Sequence, residues 1–119
     1  MSLFRTCPDS GFYFDKNAES LMKANAVAAA VSLLVAGVLA LGVILTRWQE
    51  VHLLDAATFY MVLTAHGIDA LIFWIIFFEI AVLYFAGSTL LRVRLAAPRW
   101  GWLAFLLMVG GAIMNNVAV

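Results

Sequence analysis

The chain predicts an all-α membrane fold, a partial helical bundle of three transmembrane helices, and three observations carry that reading. Hydrophobic residues make up 66% of its 119 positions and charged residues only 12%, against about 25% charged in an ordinary soluble domain. Mean hydropathy is +1.02. Apolar runs long enough for the ~30 Å hydrocarbon core of a bilayer occur three times, with short polar connections between them.

Charge and cysteine content narrow the classes further. Seven basic residues balance seven acidic ones, so the basic excess of a nucleic-acid binder is missing and no nucleic-acid partner is expected. Cys7 is the single cysteine, which excludes an internal disulfide and a cysteine-rich metal site. It reads as an ordinary thiol on a polar tail. The first apolar run starts only after some twenty mixed residues, unlike a signal peptide.

Residues 1–23 read as an N-terminal tail. Pro8, Asp9, Ser10 and Gly11 mark a turn in it, and Asn17 is the expected cap of the helix that follows. Residues 24–46 carry no charge and form the first span. Ala26 with Ala30, and Ala36 with Ala40, are small residues four apart, a spacing that permits close helix contact. Residues 47–55 are a short connection, with Trp48 placed as an interfacial anchor. His52 lies there as a surface side chain, and Asp55 suits the N-cap of the second span.

Residues 56–91 are the long second span, roughly 54 Å as a helix. Residues 92–98 connect it to the third span at 99–119, where Pro98 fits a first helical turn and Trp100 and Trp102 mark an interface. The third span stops at Asn115-Asn116-Val117-Ala118-Val119 with no charged or aromatic anchoring group, the ending expected of a chain cut short or of a naturally short subunit.

Basic residues set the expected orientation. Arg92, Arg94 and Arg99 stand without an acid in the second connection, and Arg5, Lys16 and Lys23 lie in the tail. The first connection has Arg47 beside Glu50 and Asp55. The expected location is the cell (inner) membrane, multi-pass, with the N-terminus cytoplasmic.

The chemistry concentrates in the second span, where His66, Asp69 and Glu79 interrupt an apolar run. Ionisable groups inside a bilayer are costly and mark function by default. At 100° per residue, Phe59, His66, Phe73, Phe77 and Tyr84 fall within about 40° of one line. An imidazole on an aromatic stripe suits a flat apolar cofactor such as haem, with neutral imidazole on the iron. Gly67 leaves room beside it. The alternative is packing, with the ring only hydrogen-bonded. Asp69 either tunes the histidine's surroundings or makes a helix–helix hydrogen bond. Glu79 either relays protons or holds a hydrogen bond to a neighbouring helix.

At Thr64-Ala65-His66-Gly67 the chain resembles the Thr-x-His-Gly core in the second span of subunit I of the haem-copper oxidases. RWQEVHLLDAATFY resembles the stretch before that histidine in the divergent, ba-type cytochrome c oxidase branch. Phe14-Asp15 with KANAVAAAV is similar to the first span, and MNNVAV to the end of the third. The resemblance implies an N-terminal fragment or split piece of a respiratory catalytic subunit that reduces O₂ to water and pumps protons. His66 then takes the role of an axial ligand to the iron of a low-spin haem, b or a type.

By the same resemblance the expected partners are the remainder of oxidase subunit I, a copper-bearing subunit II, cytochrome c or a similar electron donor, and the lipid bilayer. Copper belongs only to that remainder, because His52 and His66 are the only histidines and a three-histidine site is impossible. No catalytic residue lies in this chain on that reading, and no activity is expected of it alone. Nitric oxide reductases are a chemical alternative within the family. Outside it stand a three-span haem-b anchor of the succinate dehydrogenase type and a non-catalytic helper subunit.

Overall fold

Three long apolar helices, packed side by side, dominate the computed structural model, which describes residues 4–6 and 13–118. Helix α1 is Lys16–Arg47, α2 is Ala56–Leu90 and α3 is Pro98–Ala118. Each is long and apolar enough to cross a membrane. The molecule measures 60 × 29 × 20 Å, a rod set by the ~52 Å length of α2. Before α1, strands β1 (Phe4–Thr6) and β2 (Tyr13–Asp15) pair antiparallel, with Phe4 opposite Asp15 and Thr6 opposite Tyr13. The expected turn at Pro8–Gly11, and Cys7, lie outside the described residues.

Part of the expected tail is helical. Helix α1 begins at Lys16, well before the charge-free run, because Asp15 rather than Asn17 is its N-cap. The Asn17 N–H donates to Asp15 Oδ1 at 3.2 Å, which satisfies one of the open donors of the first turn. Glu19 in that turn is buried and pairs with Lys23 at 2.9 Å.

Asp15 also reaches the far end of the chain. Its carboxylate is fully buried, and Oδ2 accepts the Leu95 N–H at 2.7 Å. Its own backbone N–H donates to Ser88 Oγ at 2.6 Å. One side chain thus ties the start of α1 to the connection after α2, and its backbone ties to the end of α2. The three helices close on one another beside this clasp. A Cβ added to Gly101 of α3 would sit 2.7 Å from Leu21 Cδ1 of α1 and 3.0 Å from the Tyr84 hydroxyl of α2. Gly101→Val is expected to cost 1–3 kcal/mol by overpacking, read as earlier thermal unfolding in detergent by circular dichroism.

Helix α2 is continuous but not uniform. Two π-helical turns interrupt it, at Asp69–Phe73 and Ala86–Leu90. In the first, the Trp74 backbone N–H donates to Asp69 O, one residue further back than an α-helix requires. The Trp74 indole N–H then donates to Ala70 O at 2.6 Å, so that carbonyl keeps a donor from Trp74. At the end of α2, Arg92 adopts a left-handed φ of 54°, and the Val93 N–H closes on Gly87 O. This is a helix-ending motif, lengthened by the second π turn.

The first connection folds back on Trp48, whose carbonyl accepts from Val51 and His52. His52 is exposed, and Asp55 stands at the N-cap of α2. Asp55 makes no side-chain bond to the first-turn N–H groups. The Thr58 hydroxyl beside it holds its carboxyl below the usual carboxylate range. Of the small-residue pairs, Ala26 and Ala30 point outward, whereas Ala36 is buried against α2.

Candidate functional site

Each π turn takes up one extra residue, which sets back every later side chain by about 100° around the helix. The buried positions of α2 show the result: Ala65, Asp69, Phe77, Ala81 and Ser88 form its inward face. The regular wheel puts Phe77 in line with His66. The structure puts it in line with Asp69, against Phe105 of α3 at a ring separation of 6.1 Å. Phe59 packs on its neighbour Tyr60, and Tyr84 lies at the clasp near Gly101. Phe77 and Tyr84, which lie beyond the first π turn, therefore leave the aromatic stripe expected around His66.

His66 is half-buried and turns to α1. Its Nδ1 lies 2.8 Å from the Ala36 carbonyl oxygen. A carbonyl only accepts, so Nδ1 carries the proton, and in a neutral ring Nε2 would hold the lone pair. Ala36, almost fully buried at 2% exposure, brings the α1 backbone close enough for this bond. A Cβ placed on Gly67 would meet nothing within 4 Å. Thr64 donates back to Tyr60 O at 2.8 Å and is exposed.

Asp69, one turn on, faces elsewhere. It is 1% exposed, and its Oδ1 accepts from Asn116 Nδ2 of α3 at 3.1 Å. That is a helix–helix hydrogen bond, and it needs no helix beyond these three to bury the carboxyl. Oδ2 is buried with no partner. Nothing in the sequence had singled out Asn116, although an amide near the end of an apolar helix is a signal of the same kind as Asp69. Glu79 is exposed and makes no hydrogen bond or ion pair with any described residue.

Asp69 and Phe77 form the floor of an apolar groove of about 460 Å³ between α1 and α3. Among the described residues no cluster of three His, Cys, Asp or Glu side chains could hold a metal ion. On its own the imidazole of His66 offers a metal one ligand nitrogen. Its ring has one nitrogen oriented by a backbone carbonyl, the usual outer support of a metal-binding histidine, and the other free. The three apolar helices define the chain as a multi-pass membrane protein. No protein-family model, no curated protein and no solved structure matches the chain.

Proposed function

We propose that this chain is the three-span N-terminal portion of a haem-copper oxidase catalytic subunit of the ba-type cytochrome c oxidase branch, and that His66 is an axial ligand of its low-spin haem. The Thr64-Ala65-His66-Gly67 motif carries the reading, and the bond between His66 Nδ1 and Ala36 O is compatible with it. In a neutral ring that bond selects the tautomer with a free Nε2 and holds the ring between two membrane helices. Such outer-shell bonds orient the ligand and raise its basicity.

Haem bound there supplies reversible one-electron exchange. The protein's own part is to fix the imidazole and to keep water away with α1 and α2. Glu79 supports the assembly side of the reading. A carboxyl on the outward face of a membrane helix is costly against lipid and is expected to meet a protein neighbour. The basic connection at Arg92, Arg94 and Arg99 favours a cytoplasmic N-terminus. His66 then lies toward the outer side, where an external donor delivers electrons.

The test is the native particle, isolated from membranes through a tag on this chain. It is expected to consume oxygen with reduced cytochrome c and to carry copper-bearing partners. The purified chain alone is expected to consume none. Oxygen consumption by the chain alone, or a particle with flavoprotein partners and quinone reductase activity, would refute the proposal.

A further inference from the structure

The stretch after α2 holds three arginines and no acid, and one of them lines a small open cavity. The cavity, about 170 Å³, lies where the connection folds back beside the last turns of α2. Leu83 and Gly87 of α2 line one side and Val93 of the connection another, and Arg94 is the one charged residue in the lining. Arg92, Arg94 and Arg99 are all exposed, and none makes an ion pair or side-chain hydrogen bond among the described residues. The acids of this end are already answered. Asp15 accepts from the Asn17 and Leu95 N–H groups, and Glu19 pairs with Lys23. The backbone N–H groups of Arg94 and Ala96, on either side of the one that binds Asp15, have no partner among the described residues.

Position in the bilayer decides which anion suits such a place. Leu83, in the cavity wall, is 69% exposed on a membrane-spanning helix, so it faces acyl chains. Arg94 stands beyond the end of α2, and Trp100 of the following turn is 71% exposed, as befits the headgroup layer. From this pairing of an uncompensated guanidinium with a lipid-facing wall, we infer that the cavity binds the phosphate headgroup of an anionic phospholipid. Arg94 supplies charge-assisted hydrogen bonds to the phosphate oxygens. Arg92 and Arg99 add to the local positive potential. Inorganic phosphate shares that chemistry but gains nothing from the Leu83 wall. The site is independent of whether His66 binds iron.

The full chain, purified in a non-ionic detergent, is titrated with phosphatidylglycerol and with phosphatidylcholine of the same acyl chains. Native mass spectrometry counts the lipid retained. Phosphatidylglycerol is expected to bind about ten-fold more tightly, and Arg94→Gln to lower that preference about five-fold. Gly87→Leu keeps all three arginines. Gly87 lines the cavity, and a Cβ there meets nothing within 4 Å, so the larger side chain is expected to occupy the cavity and weaken phosphatidylglycerol binding. Equal binding of the two lipids to the wild-type chain would overturn the inference. A preference kept at full size in Arg94→Gln or in Gly87→Leu would overturn it too, since diffuse surface charge would then be the cause. Displacement of the lipid by millimolar inorganic phosphate, but not by chloride at equal ionic strength, would leave a site for the free anion instead.

Discussion

Asp15→Ala is expected to lower the stability of the chain by roughly 3 kcal/mol, the largest effect of any single truncation considered for the fold. Two terms make up the figure. A hydrogen bond to a charged group contributes about 1.5–3 kcal/mol, and the Leu95 N–H loses one. Loss of an N-cap costs about 1 kcal/mol more, and the Asn17 N–H loses that partner. Asp15 is fully buried, so water does not readily replace it. Asp15→Asn retains one acceptor oxygen and is expected to lose about half as much. Ser88→Ala removes the acceptor for the Asp15 N–H and is expected to cost about 1 kcal/mol. Unfolding in mixed detergent micelles, followed by circular dichroism, measures all three. An alanine variant within 0.5 kcal/mol of wild type would show that the clasp does not hold the bundle together.

His66→Ala is expected to remove the low-spin haem band from the reduced-minus-oxidised spectrum of the native particle, and electron entry with it. The isolated chain is expected to lose only about 1 kcal/mol, the worth of one neutral hydrogen bond. That contrast separates iron ligation from packing. His66→Gln sharpens it, because a glutamine amide can still donate to Ala36 O but offers no imidazole nitrogen. It is expected to recover stability and assembly without recovering the band. A full low-spin band in either variant would leave His66 as a helix–helix contact and sink the haem reading.

The division of roles between His66 and Asp69 shows where sequence reasoning stops. Both residues stand out in the sequence as ionisable groups within an apolar run. Their directions do not, because a helical wheel assumes 100° at every step. The π turn at Asp69–Phe73 breaks that assumption, and Phe77 passes from the histidine's side to that of Asp69. A π turn leaves no plain composition signal. Trp74, whose indole covers Ala70 O, is its local correlate here. Asp15 is a related case. An aspartate before a helix is legible as a cap, but its second bond joins residues 80 positions apart, and no local pattern encodes that.

Composition and apolar run length alone determined that this chain carries three candidate membrane spans, because the cost of burying polar groups in hydrocarbon depends on what residues are present and in what runs. They also pointed to the second span as the place where chemistry lies. Only the tertiary structure decided what each polar side chain addresses: Asp15 the connection after α2, His66 α1, Asp69 α3 and Glu79 the outside. Facing depends on the cumulative turn of the backbone and on the contacts of remote segments. Both arise only when the helices pack together.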